Sequence, residues 1–186
     1  MSQIELLRLV VSVLNNLQIP YMLVGSYASS FYGEPRSTHD IDMVIDLDSA
    51  KVPRLVQEFD TQRYYLSELA LREGRMANLI DLQSGDKVDF FLDAGNTNNC
   101  TALSRRSRRK LMDIEVDMAS AEDTILAKLS WSKSGGGLKR QVDDVRDILR
   151  IQGGKLDEQY LRQQAEAWGL TQELTPLLNE YESEDR

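Results

Sequence analysis

The feature that most constrains this chain is the run "DIDMVIDLD", residues 40–48, in which Asp40, Asp42, Val44, Asp46 and Asp48 alternate with Ile41, Met43, Ile45 and Leu47. Alternation with period two sends successive side chains to opposite faces. It predicts a strand with an apolar face for a core and a carboxylate face for something else. Carboxylates one pleat apart repel each other, and removal from water adds to the cost, so the second face needs solvent or a cation. An exposed edge strand would supply solvent, and its acidic side chains would discourage edge pairing. A divalent cation answers the same need differently, because Mg²⁺ takes one or two carboxylates together with substrate phosphates. Asp46 and Asp48 are better suited to ending the strand and capping the helix that Val52, Leu55, Val56 and Phe59 predict.

What precedes this strand favours the cation. Ser2 with Glu5 is a capping box opening a helix over residues 3–17, and Pro20 ends that helix. Tyr21–Val24 then reads as a short apolar strand running into Gly25-Ser26, followed by a short helix over 26–32 and the loop "GEPRSTH". A Gly-Ser turn between strand and helix lets the backbone approach a phosphate, and the free N–H groups of the helix start favour an anion. A phosphate cradle followed by paired carboxylates is a layout for phosphoryl or nucleotidyl transfer. Gly25 and Ser26 are therefore the candidate phosphate binders, with Asp40 and Asp42 as metal ligands.

Residues 76–82 and 87–92 flank "QSGD" and predict an antiparallel hairpin, and residues 112–118 predict a last strand. "RRSRRK", residues 105–110, reads as a solvated loop or as an electropositive lip for triphosphate or RNA. A short helix follows Ser67. Beyond Ser120, which caps a helix, everything reads as helical: a second helix with the stripe Leu138, Val142, Val145 and Leu149 follows the break "SGGG", and two more lie near 157–167 and 171–182. "SGGGLK" lacks the ending and the preceding strand of a nucleotide P-loop.

Composition narrows the chemistry. His39 and Cys100 are the only histidine and cysteine in 186 residues, which sets aside Ser-His and Cys-His nucleophiles, thiolate clusters and His-rich zinc sites. Any metal would be hard and oxygen-bound. The net charge of −8 argues against broad nucleic-acid binding while leaving room for a local basic groove. No apolar run reaches a spanning length and the N-terminus lacks a signal pattern, so the expected location is the cytoplasm, with no membrane partner.

"GSYASSFYGEPRSTHDID" resembles the signature of the DNA polymerase β-like nucleotidyltransferase superfamily, Gly-Ser, a spacer, then Asp-x-Asp. The resemblance implies a third carboxylate on a later strand, for which "KVDFFLD" offers Asp89, with Asp93 and Asp81 as weaker candidates. "RSTHDID" is more similar to the AbiEii-type toxin group and its uncharacterised relatives, which implies a lysine and an aspartate on later helices. "EDTILAKLSW" and "RQVDDVRDIL" supply Lys128 and Asp144. By themselves Lys128 is an ordinary helix position and Asp144 a member of a polar face with Arg140 and Asp147. Arg36, just before Asp40, is either a phosphate clamp or a surface partner of Glu34 or Asp40.

The expectation is thus an α+β nucleotidyltransferase fold with a mixed, partly antiparallel sheet flanked by helices. Residues 1–118 would form the core and 119–186 a C-terminal helical region packed on it. The implied activity is Mg²⁺- or Mn²⁺-dependent transfer of a nucleoside monophosphate from a nucleoside triphosphate to an acceptor hydroxyl, with an RNA such as tRNA as one acceptor in a toxin-antitoxin setting. Asp40, Asp42 and Asp89 would be catalytic and metal-binding, and Gly25, Ser26, Arg36, Lys128 and Asp144 nucleotide-binding. The rival is a non-catalytic module of the same fold that binds nucleotide or a partner protein.

Overall fold

The computed structural model describes residues 2–74, 76–92, 97–135 and 138–184, with side chains at all of these except 97, 98, 138 and 184. The chain divides into two compact units, Met1–Ser26 with Ser37–Met118, and Tyr27–Arg36 with Ala119–Arg186.

The first unit opens with α1 (Gln3–Asn16), which starts as its capping box dictates: the Ser2 hydroxyl accepts from the Glu5 N–H, and the Glu5 carboxylate accepts from the Ser2 N–H at 2.6 Å. Leu6, Leu7, Val10, Val11, Val13 and Leu14 form its buried stripe. Past its end, the carbonyls of Leu17 and Gln18 accept from the Lys51 ammonium at 3.0 and 2.7 Å, which satisfies acceptors that a helix terminus leaves open.

The sheet consists of β1 (Tyr21–Val24), β2 (Asp40–Ile45), β3 (Tyr64–Leu66), β4 (Met76–Asp81), β5 (Lys87–Leu92), β6 (Ser107–Leu111) and β7 (Ile114–Met118). Its order is β3-β4-β5-β2-β1-β7-β6. The β5–β2 and β1–β7 pairs are parallel and the others antiparallel, so the sheet is mixed as expected. Registry fixes which side chains share a face. Met43 lies beside Leu23 on one side and Phe90 on the other, Val88 beside Leu79, and Leu23 beside Met118. With Tyr21, Ile41, Ile45 and Val116 these make one continuous apolar face, each residue no more than 1% exposed. The opposite face carries Asp40, Asp42, Lys87, Asp89 and Asn78.

Between β2 and β3 the Asp48 carboxylate accepts from the Ala50 N–H at 2.9 Å and caps a 3-10 turn leading into α3 (Val52–Gln57). Ser67 caps α4 (Glu68–Glu73), also as expected. The hairpin β4–β5 forms with Gly85 at φ +77° in its turn. Two expectations change. "RRSRRK" is no loop: α5 (Thr97–Arg105) ends at its first arginine, and Ser107–Leu111 is the edge strand β6. An edge strand made of charges shows no apolar alternation, so the sequence pattern hides it. The last strand also starts later than residue 112, because Met112, at φ +55°, and Asp113 make the tight turn from β6 into β7. β3 was not foreseen, being three residues long.

The second unit contains most of α2 (Gly25–Tyr32), whose first two residues belong to the first unit, then residues up to Arg36, and α6 (Ala121–Lys133), α7 (Leu138–Gln152), α8 (Glu158–Ala167) and α9 (Thr171–Glu184). α6 is buried almost all round and packs against α7, α8 and α9. Three of its buried polar groups are engaged close by: Glu122 accepts from the Asp157 N–H at 2.9 Å, Asp123 from the Tyr160 hydroxyl at 2.7 Å, and the Thr124 hydroxyl donates to the Ser120 carbonyl at 2.7 Å. Gly136 and Gly137 of "SGGG" lie outside the described residues, as does the Leu138 side chain. No helix among the described residues is long and apolar enough to cross a membrane.

Candidate functional site

The carboxylate face of the first unit is built by strand registry. Asp40 and Asp42 are two residues apart on β2 and project to the same side. In the parallel neighbour β5, Lys87 lies beside Asp40 and Asp89 beside Asp42. In the antiparallel β4, Asn78 lies beside Asp89. One row across the sheet is therefore Asn78, Asp89, Asp42 and Val24, and the next includes Lys87 and Asp40.

Gly25 closes the row. It stands at φ +64° directly after β1, and a Cβ on it would overlap the Asp42 carboxylate oxygen and lie 2.8 Å from Asp42 Cγ and 2.9 Å from its Cβ. No other residue could let the backbone come this close to Asp42 in this conformation. Ser26 follows in the first turn of the eight-residue α2.

Asp89 is 5% exposed, and both of its oxygens are engaged: Oδ1 accepts from Asn78 Nδ2 at 2.6 Å and Oδ2 from the Lys87 ammonium at 2.8 Å. The same ammonium lies 3.2 Å from Asp40 Oδ1. The hydrogen bond to Asp89 is the chief cause that raises the Lys87 pKa; burial opposes it, and Asp40 adds to it. Asp40 is exposed and Asp42 half-buried. Neither Asn78 nor Lys87 was singled out in the sequence. The signal that could have found them is the hairpin itself, since pairing Ile80 with Lys87 across the turn sets Asn78 against Asp89.

The two weaker candidates for the third carboxylate fare differently. Asp81 shares the apolar face with Leu79, is fully buried, and accepts from the Gln83 N–H at 3.0 Å and from Arg63 at 3.3 Å. Burial pushes its carboxyl up, but the Gln83 and Arg63 donors hold it below the usual range. It is committed to the turn. Asp93 lies outside the described residues.

Among the described residues no group of three histidine, cysteine, aspartate or glutamate side chains is drawn together tightly enough to hold a metal ion. The donor set nonetheless fits a hard divalent cation: the candidates are carboxylates alone, they project from one sheet face on adjacent strands, and the missing Cβ of Gly25 leaves the place that the Asp42 carboxylate occupies.

In the second unit the remaining candidates form a buried cluster on Asp144. Arg36 donates to it twice, Nε to Oδ1 at 3.0 Å and Nη2 to Oδ2 at 2.9 Å. Lys128 donates to Oδ2 at 2.7 Å, and the Ser29 hydroxyl at 3.2 Å. Lys128 and Asp144 are only 6% and 8% exposed, so neither is an ordinary surface residue. Burial raises the Asp144 carboxyl, but Arg36 and Lys128 outweigh it and hold the pKa below the usual range. Arg36 is thus a partner of Asp144, and Glu34 accepts from Arg150 at 2.7 Å.

The basic stretch is partly neutralised where it stands. Arg106 and Arg108 lie 3.4 and 3.1 Å from the Asp117 carboxylate, on the neighbouring strand.

No family model and no curated protein match the sequence. Solved structures do. An antigenic nucleotidyltransferase-like protein from Paracoccidioides brasiliensis superposes with a TM-score of 0.59 at 18% identity, over 97% of this chain and 92% of that one. ANT(2")-Ia in complex with adenylyl-2"-tobramycin gives 0.62 at 10% identity, over 90% and 97%. The lincomycin-bound lincosamide antibiotic adenylyltransferase LnuA gives 0.53 at 14%, over 80% and 96%. The chain has the nucleotidyltransferase fold.

Proposed function

We propose that the protein is a metal-dependent nucleotidyltransferase that moves a nucleoside monophosphate from a nucleoside triphosphate to an acceptor hydroxyl. One observation carries the reading: three carboxylates from two strands share a sheet face, with Asp42 in register beside Asp89 and pressed against a Gly25 that tolerates no Cβ. On this reading Gly25 and Ser26 present backbone N–H groups and the positive start of α2 to the triphosphate. Asp40, Asp42 and Asp89 would hold Mg²⁺ or Mn²⁺. The bound ion supplies Lewis-acid polarisation of the phosphoryl oxygens and charge neutralisation in the transition state. Asp89 would draw the proton of the acceptor hydroxyl as that oxygen attacks the α-phosphate in line, and pyrophosphate leaves.

The nucleotide-binding roles of Arg36, Lys128 and Asp144 belong to this proposal too, with Asp144 orienting the two cations. The acceptor is either a hydroxyl-bearing small molecule, as in ANT(2")-Ia with its adenylylated tobramycin and LnuA with its lincomycin, or an RNA end, as the likeness to AbiEii-type toxins implies. A second reading, a non-catalytic nucleotide-binding module, draws on the engagement of both Asp89 oxygens by Asn78 and Lys87.

The test incubates the protein with each α-labelled triphosphate and Mg²⁺, in the presence of total RNA, total protein, or a panel of aminoglycosides and lincosamides. The expected result is a labelled acceptor with wild type and none with Asp42→Asn, which should melt no earlier than wild type because one crowded negative charge is gone. Mg²⁺-dependent triphosphate binding without label in any acceptor selects the non-catalytic module. An Asp42→Asn variant as active as wild type overturns the carboxylate site.

A further inference from the structure

Lys87 is an ammonium placed by the backbone inside a carboxylate cluster. It sits two residues before Asp89 on β5 and directly beside Asp40 across the parallel ladder, so both contacts follow from registry. Its Nζ lies 2.8 Å from Asp89 Oδ2 and 3.2 Å from Asp40 Oδ1. Those are two of the three groups that the proposed function assigns to a metal.

We propose that Lys87 is the resident counter-cation of this face, and that a divalent ion gains Asp40 and Asp89 only by displacing it. The inference rests on the reading of Asp40, Asp42 and Asp89 as metal ligands. The two donors on Asp89 are unlike each other. Asn78 is a short amide on the neighbouring strand, and its bond to Oδ1 fixes the carboxylate plane. Lys87 is a long arm whose side chain is 39% exposed, and its partner Asp40 is 55% exposed. The ammonium can swing into water while Asn78 stays in place. Displacement exchanges one positive charge for two on the same oxygens and frees Oδ2 for coordination. It also weakens binding of the bare ion, because two ion pairs must first be broken. The site then favours a cation that arrives already complexed to a triphosphate, whose phosphates supply further ligands and whose negative charge can take up the released ammonium.

The test is Mn²⁺ binding without nucleotide, followed by electron paramagnetic resonance on wild type, Lys87→Met, Lys87→Arg and Asp42→Asn. Lys87→Met is expected to bind Mn²⁺ about fivefold more tightly than wild type, which is what a half-exposed ion pair is worth. Lys87→Arg, which keeps the charge, should bind as weakly as wild type, and Asp42→Asn more weakly still. Mn²⁺ should also raise the melting temperature of Lys87→Met more than that of wild type. If Lys87→Met does not fold, Lys87→Gln takes its place. Equal affinities in wild type and Lys87→Met, both reduced by Asp42→Asn, would overturn the role of Lys87 and leave the metal reading standing. Mn²⁺ binding that ignores Asp42→Asn in every background would overturn both.

Discussion

Gly25→Ala is the sharpest perturbation of the carboxylate face, because two separable costs fall on one atom. The first is conformational: residue 25 stands at φ +64°, and an L side chain there costs about 1–2 kcal/mol. The second is steric, since the new Cβ would overlap the Asp42 carboxylate and approach its Cγ to 2.8 Å. Moving Asp42 or the backbone aside costs about 1–3 kcal/mol more, as overpacking does elsewhere. The sum, roughly 2–5 kcal/mol, is a large share of the roughly 5–15 kcal/mol that holds a domain together. The fold carries its own control. Gly85 stands at φ +77° with nothing within 4 Å of a built Cβ, so Gly85→Ala reports the conformational cost alone. Urea unfolding followed by circular dichroism gives both values. Gly25→Ala should be the more destabilising by the steric part, and that excess should shrink in an Asp42→Ala background, which leaves only the 2.9 Å approach to Cβ. If the two alanine variants cost the same, or if Asp42→Ala leaves the excess untouched, the close approach of Gly25 to Asp42 is wrong.

Acid should unfold the protein partly through Asp144 and Asp81, whose carboxyls are both held below the usual range. A depressed folded pKa contributes stability that is fully present above the unfolded value of about 3.9 and is lost as pH falls through the folded value. Asp144→Asn should therefore lose less of its urea midpoint than wild type between neutral pH and about pH 3, and an equal loss would remove Asp144 from the account. Replacing Arg108, Arg109 and Lys110 with valine strips the charges from the exposed edge of β6 and should promote self-association beyond that of wild type in sedimentation runs; sedimentation indistinguishable from wild type would show that these charges do not guard the edge.

Much of the fold was legible because alternation and capping are local. Tyr21–Val24 follows from a short unbroken apolar run and the strand from Asp40 from apolar alternation, and α1, α4 and α6 start at Ser2, Ser67 and Ser120 because a hydroxyl there meets an orphan N–H. β6 was not legible: its pairing is decided by β7, and its own residues, "SRRKL", carry no pattern a strand requires. The site divided in the same way. Asp40, Asp42 and Gly25 lie in one continuous stretch, and alternation alone places both aspartates on one face. Asn78 and Lys87 became visible only through registry, a property of pairs of strands. The bond between Arg36 and Asp144 joins residues 108 apart, a distance over which no local pattern operates.

That separation has a consequence for how the protein is born. The whole sheet, β1 to β7, is encoded before residue 119, so the ladder that lines up Asp42 with Asp89 has all of its strands early in synthesis. Residues 27–36 emerge in the same period, yet their partners on α6 and α7 are not yet made. At about 5–20 residues per second, Arg36 waits about 5–20 s for Asp144. Ser29 and Arg36 spend that interval without the carboxylate that receives them in the finished chain. A nascent chain halted after β7 would carry the carboxylate face complete and this segment unfinished.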